Sequence, residues 1–394
     1  MTRTSSRLDL IKPSATIMVT MKAMELKAQG KDIVSLGAGE PDFDTPEHIR
    51  AAAIAAIHGG QTRYTAVDGT PELKQAIIEK FQRDNSLDFA PDQVIASNGA
   101  KQSLYNLMVA TLNRGDEVIV PAPYWVSYPD MAKLADAQPV ILATTAANDF
   151  KITAKQLQAS LTENTRMVIL NSPSNPTGKV YTEDEYREIG EVILDHPRVL
   201  VACDDIYEFI YWGQGPYRTF LNSCPELAER TLVINGVSKG YAMTGWRIGF
   251  IAGPADLVKA MRKVQSQSTS CPGSISQAAA VAALTGPQTC VEDMRHAFRE
   301  RYEYMHGALN ELPGVQCETC DGAFYAFPSF KNFIEMREDV RDDVELAAWF
   351  LEEAGVATVP GSAFGAPGHL RLSYAAAMDY LEDAVSRMKT AMEQ

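Results

Sequence analysis

Between about residue 70 and residue 255, short and largely apolar runs alternate with segments whose apolar residues recur at helical spacing. The runs Gln93–Ser97, Glu117–Val120, Arg166–Leu170, Arg198–Cys203, Thr231–Ile234 and Ile248–Ala252 lack polar alternation, the pattern of strands covered on both faces. Between them lie helical signals. Thr70-Pro71-Glu72 offers a cap and a first-turn proline ahead of Leu73, Ala76, Ile77 and Phe81, which share one face. A glycine turn leads into a helix over Lys101–Asn113, and Thr182-Glu183-Asp184-Glu185 is a capping box. This order predicts an α/β fold: a large domain with a mostly parallel sheet flanked by helices.

The chain ends are patterned differently. A charged helix near Arg295–Leu312 and short strands around Gly322–Phe327 and His369–Ser373 suggest a smaller α+β domain formed by both ends. The expected boundaries are 1–45 for an N-terminal arm and part of the small domain, 46–295 for the large domain, and 296–394 for the small domain. The acidic stretch Glu335–Glu345 reads as a solvated loop or helix start. With 394 residues, 46% of them hydrophobic, the chain can bury a sizeable core. A net charge of −14 without a basic tract argues against nucleic acid as a partner. No run reaches membrane-spanning length, and the N-terminus has no apolar core of signal-peptide type, so no membrane association and a cytoplasmic location are expected. Six cysteines are too sparse for a disulfide framework; Cys317 and Cys320 form a lone CxxC in a strand-and-turn context, and no metal site is expected.

In a doubly wound sheet, ligands collect beyond the carboxyl ends of the strands. Ser97-Asn98-Gly99-Ala100-Lys101 follows one strand and opens a helix, whose free amides suit a phosphate. Asn171–Gly178 (NSPSNPTG), Asp204-Asp205-Ile206-Tyr207 and Lys239 each follow another. Taken singly, these segments are also readable as a turn, a helix cap and a strand-to-helix junction. Lys239 stands eight residues ahead of Arg247 in VSKGYAMTGWRIGF. A partly desolvated lysine supplies a free amine for Schiff-base chemistry, and an arginine fork suits a phosphate, although a surface lysine and an ion-paired arginine would read alike. Lysine amine, anion cradle, carboxylate and hydroxyl donor together match pyridoxal phosphate, an aldehyde cofactor with a phosphate, a ring nitrogen and a phenolic oxygen.

With those residues in place, the sequence resembles the fold-type I pyridoxal-phosphate aminotransferases, within them the bacterial aspartate aminotransferase subgroup. The motifs that carry the resemblance are SLGAGEPDFDTP, YTAVDGTPELK, NSPSNPTG, DDIYE, SKGYAMTGWRIG and RLSYA, and it runs from about Ser5 to the C-terminus. It implies that Lys239 bonds the cofactor covalently, that Asp204 pairs with the pyridine nitrogen, and that Tyr207 hydrogen-bonds the ring oxygen. It implies Arg247 and the backbone at Gly99, Ala100 and Lys101 for the phosphate, and Trp125 stacked on the ring. Tyr64 would reach the phosphate of a neighbouring subunit, making a homodimer with shared active sites. Asn175 would contact ring oxygen and substrate, and Arg371 would clamp the substrate α-carboxylate beside the backbone of Gly39. Arg371 lies between apolar residues, so if buried it needs an anion; a structural aspartate would serve as well. Where many relatives carry serine or threonine three residues before the lysine, this chain has Gly236, which shifts the expected phosphate contact to Ser238 or to backbone amides.

The implied reaction is ping-pong transamination between small-molecule amino acids and 2-keto acids, with Lys239 as covalent anchor and proton carrier. Ser266–Ser270 lies where some aspartate-specific relatives place an arginine for the distal carboxylate. Lys12, in the KPSAT arm, is the candidate replacement; a solvated terminal lysine is the alternative. L-aspartate with 2-oxoglutarate is the first expectation, and prephenate or another aromatic keto acid the second. A β-eliminating lyase or a cyclopropane-forming synthase on the same scaffold is the rival chemistry. A non-enzymatic regulatory domain lacks room for a DNA-binding module.

Overall fold

The six apolar runs and one further strand form one seven-stranded sheet. In this computed structural model, which describes residues 3–394, the strands are β1 (Val94–Ser97), β2 (Glu117–Ala122), β3 (Gln138–Ala143), β4 (Thr165–Asn171), β5 (Leu200–Asp204), β6 (Thr231–Gly236) and β7 (Gly249–Ala252). Their spatial order is β1-β7-β6-β5-β4-β2-β3. Strands β2 to β6 pair in parallel, and β7 alone runs against both its neighbours. Met1 and Thr2 of the expected N-terminal arm lie outside the described residues.

Strands β6 and β7 are buried along their whole length, which is why they carry no polar alternation. β3 was not anticipated. It is one of the two edge strands; its run Val140–Ala143 is apolar throughout, but Pro139 at its start reads against a strand, and Gln138, Ile141 and Ala143 are exposed. The Pro71–Asn85 helix is capped as its sequence implies, with Leu73 N donating to Thr70 Oγ1 at 3.2 Å, and Thr182 and Glu185 complete the capping box of the Glu183–Leu194 helix. The charged helix expected near Arg295 spans Thr289–Asn310. Its first turns bury Val291 and Met294, an apolar face that a reading based on charge passes over.

The smaller α+β portion contains β8 (Tyr325–Ala326), β9 (Val359–Pro360) and β10 (Leu370–Ser373) in the antiparallel order β9-β10-β8. Val34–Ser35 pairs in parallel with Val356–Ala357, and one core joins Val34 and Leu36 to Phe298, Phe324, Phe350 and Met388. The chain ends therefore meet. Arg301 reinforces this with a two-pronged bond to Asp42, at 2.7 and 2.9 Å. The acidic stretch is solvated only in part, because Asp343 within it is fully buried. Cys317 and Cys320 are buried, and burial pushes both thiols up to about 12, which leaves them protonated and unreactive at neutral pH.

Candidate active site

Parallel strands deliver their carboxyl ends to one edge of the sheet, and the loops leaving β1, β2, β4, β5 and β6 converge there. β7 joins them because it is antiparallel. Gly249 pairs with Ser97 on one side and Gly236 on the other, so the chain entering β7 lies at the edge where β1 and β6 end. Arg247, two residues before Gly249, thus meets the turn after β1, and Lys239 leaves the same edge. A cavity of about 390 Å³ opens at this edge. Its walls include Gly39, Ala100, Lys101, Trp125, Asn175, Asp204, Tyr207, Ser238, Lys239, Arg247 and Arg371.

One end of the cavity is built for an anion. Gly99, at φ 83°, precedes the Ala100–Thr111 helix, and a Cβ there would strike the Arg247 guanidinium. Arg247 itself holds a left-handed φ of 57°, a conformation that costs a non-glycine residue about 1–2 kcal/mol. Its nitrogens donate to the carbonyls of Thr244 (2.9 Å) and Asn98 (3.5 Å). Lys101 Nζ stands 4.9 Å from the Trp125 ring centre, and burial followed by the charge of Arg247 lowers its pKa. Arg247 and the helix N-terminus face this end, Lys101 Nζ stands beside it over Trp125, and among the described residues neither cation pairs with a carboxylate.

In the middle, Lys239 Nζ donates to Gly39 O and lies 5.8 Å from the ring centres of Tyr207 and Phe324. Burial first, then the charges of Arg371 and Arg247, push it down to about 8 against the opposing pull of Glu40 and Asp204. Burial raises Asp204 to about 6, while a 2.6 Å hydrogen bond from Tyr128 and the Ile206 amide favour its ionised form. The Tyr207 and Tyr325 hydroxyls bond at 2.8 Å.

Arg371 closes the other end. It is 2% exposed, donates to Asn175 Oδ1 (3.1 Å) and Gly37 O (2.7 Å), and its guanidinium carbon lies 4.5 Å from the Tyr325 ring and 5.1 Å from that of Phe364. Its Nε has no partner. Among the described residues it forms no ion pair with a carboxylate; burial lowers its pKa, and the hydroxyls of Tyr325 and Tyr207 oppose this. The structural aspartate that would have explained this arginine is absent, so a buried guanidinium is left aimed at a cavity.

One expected residue falls elsewhere. Lys12 does not line this cavity; it lies on an adjoining groove with Lys22, Asp130 and Lys133. The arm enters the cavity two residues later, through Ser14, Thr16, Ile17 and Thr20, whose spacing places them along one face as the Ala15–Ala28 helix begins. Tyr64 is 91% exposed. Sequence reasoning missed Tyr128 and Tyr325. Tyr128 had a signal, since it stands one helical turn beyond Trp125 at the end of β2. Tyr325 is brought in by β8–β10 pairing and had none.

The family described as aminotransferase class I and II matches residues 31–387. An aspartate/prephenate aminotransferase of Nitrosomonas europaea is 51% identical over 393 residues, 98% of this chain and 99% of its own. The aspartate aminotransferase structure from Rhizobium meliloti superposes with a TM-score of 0.96 at 46% identity, covering 100% of this chain and 99% of that one. That of Thermus thermophilus aspartate aminotransferase with maleate gives 0.93 at 41% identity, with 99% and 100% covered. By a family match over residues 31–387, and by a fold that superposes over the length of solved aminotransferases, the chain belongs to the class I and II aminotransferases.

Proposed function

We propose that this aminotransferase depends on pyridoxal 5'-phosphate and moves an amino group from L-aspartate to 2-oxoglutarate in two half-reactions. The observation that carries the reading is a lysine amine at about 8 in the same cavity as a buried Arg371 lacking a carboxylate. The donor set fits the cofactor. Arg247, Ser238 and the backbone of Gly99, Ala100 and Lys101 would hold its phosphate, Asp204 its ring nitrogen, Tyr207 and Asn175 its ring oxygen, and Trp125 its ring face. Bound there, it supplies an aldehyde reactive toward amines and a ring that withdraws electrons from a substrate's α-carbon. At pH 7, a lysine near 8 is neutral in about one molecule in ten, enough for Nζ to act as nucleophile. The same Nζ then takes and returns the α-proton. Arg371 and Asn175 orient the α-carboxylate, with Gly39 beside them.

For the second carboxylate we favour Lys101 Nζ over Lys12, because an anion there relieves both the burial and the repulsion from Arg247 that lower its pKa. The maleate named with the Thermus thermophilus enzyme, itself a dicarboxylate, supports an acidic substrate. Prephenate as an alternative acceptor is favoured by the name of the Nitrosomonas europaea relative. We also propose a homodimer in which Tyr64 reaches the partner's phosphate site. The cytoplasm is the proposed location; six free thiols suit its reducing conditions. No helix among the described residues is long and apolar enough to cross a membrane.

Borohydride reduction of protein loaded with cofactor, followed by peptide mass analysis, should place the adduct on Lys239, and Lys239→Ala should abolish it. Aspartate with 2-oxoglutarate should yield glutamate; release of pyruvate and ammonia instead would mark a lyase. Lys101→Ala should cut the preference for aspartate over alanine and Lys12→Ala should not; the reverse result would return the distal site to Lys12.

A further inference from the structure

Asp343 lies in the acidic stretch that reads as solvent-facing, yet it is 0% exposed at the start of the Asp343–Trp349 helix. A buried carboxylate must be hydrogen-bonded. Asp343 takes three donors from one loop: Ser362 N (2.7 Å) on Oδ2, and Ser362 Oγ (2.7 Å) and Gly368 N (3.0 Å) on Oδ1. That loop joins β9 to β10, the strand that carries Arg371. Between its two anchored ends it presents Phe364, whose ring lies 5.1 Å from the Arg371 guanidinium and whose carbonyl accepts from Tyr124 N at 3.0 Å, next to Trp125 in the cavity wall.

We infer that Asp343 is a positioning residue for substrate carboxylate binding: it pins the loop 361–368 so that Phe364 holds the Arg371 guanidinium at the angle a carboxylate requires. The inference rests on the proposed role of Arg371. The Arg371 guanidinium lies over two rings, Tyr325 and Phe364. Tyr325 rides on β8, which pairs with β10 itself, whereas Phe364 rides on a loop held by a distant carboxylate. A guanidinium binds a carboxylate through two parallel bonds only if its plane is fixed, so loosening one ring weakens binding without touching Lys239 or the phosphate end.

The test uses cofactor-loaded protein and succinate as an unreactive probe, followed through the cofactor's absorbance, together with KM and kcat for the amino donor. Asp343→Asn sets an amide N–H against the N–H of either Ser362 or Gly368, depending on how the amide turns, while Ser362→Ala removes one bond and leaves the fold intact. Asp343→Asn should raise the succinate Kd and the donor KM about tenfold, and Ser362→Ala about threefold, each no more than one lost charge-assisted bond because the loss reaches the ligand only through the loop. In both variants kcat and cofactor affinity should stay within about twofold of wild type, as expected when only ground-state and transition-state binding fall together. Unchanged succinate affinity, or a parallel fall in cofactor affinity, kcat and Tm, would overturn the inference and leave Asp343 a purely structural residue. If Asp343→Asn does not fold, Ser362→Ala decides by the same criteria. Arg371→Leu separates the two levels: retained succinate binding there would overturn the proposed carboxylate site itself, whereas binding lost there but kept in Asp343→Asn and Ser362→Ala would overturn only the role of Asp343.

Discussion

Asp204 and Asp205 are adjacent in sequence and face opposite surroundings. Asp204 turns into the cavity and is served by Tyr128 and a backbone amide, which limits its rise to about 6. Asp205 turns away, towards the hydroxyls of Thr219 and Tyr217, which favour its ionised form, but burial followed by the nearby charge of Glu208 outweighs them and raises it to about 8. Glu208 in turn is neutralised by Lys80, itself fully buried, with Asn85 bridging at 2.6 and 2.9 Å. DDIYE in the sequence marks several acids at one strand end, but which of them meets a ligand depends on the side to which each points in the fold. An acid raised in the folded state binds more protons folded than unfolded. Its stabilising contribution is therefore complete below about pH 4 and lost as pH rises through about 8. Asp205→Asn should then gain stability over wild type as pH increases between those limits, with the largest gain near the upper one. Calorimetric Tm differences that do not change with pH would show that Asp205 is ionised in the folded protein.

At the scale of elements, continuous apolar strands and capped helices were legible because their signals are local. Strand β3 was not: its run Val140–Ala143 is as apolar as the others, but Pro139 at its start reads against a strand. The convergence of Lys239 and Arg247 was suggested by spacing, yet its cause is the antiparallel direction of β7, which no local pattern records. Gly99 is the junction where this matters. Its φ of 83° with ψ of 156° is a region held almost only by glycine, and its missing Cβ leaves room for Arg247. Gly99→Ala should cost about 1–3 kcal/mol of stability and also displace Arg247, weakening cofactor affinity. Gly60, at φ 69° with open space around it, is the control. Gly60→Ala should lose stability alone. If Gly99→Ala binds the cofactor as tightly as Gly60→Ala, the close approach of Gly99 and Arg247 has no bearing on phosphate binding.

For the molecule as a whole, the charge is divided unevenly. The chain carries −14 overall, while its cavity gathers Lys101, Lys239, Arg247 and Arg371 against Asp204 and Glu40. An acidic surface keeps copies apart unless an apolar face draws them together. The arm helix Ala15–Ala28 offers such a face, with Ile17, Met18, Met21 and Met24 each more than half exposed. Tyr64 is likewise 91% exposed. Its role was given only by resemblance, because contacts between copies leave no periodic trace in one sequence. A homodimer accounts for both features. Sedimentation should give twice the chain mass, and Tyr64→Phe should keep that mass while raising the cofactor Kd about tenfold through the loss of one hydrogen bond to a charged phosphate. A protein that sediments as a monomer and binds the cofactor fully, or a Tyr64→Phe variant with wild-type affinity, would confine the active site to a single chain.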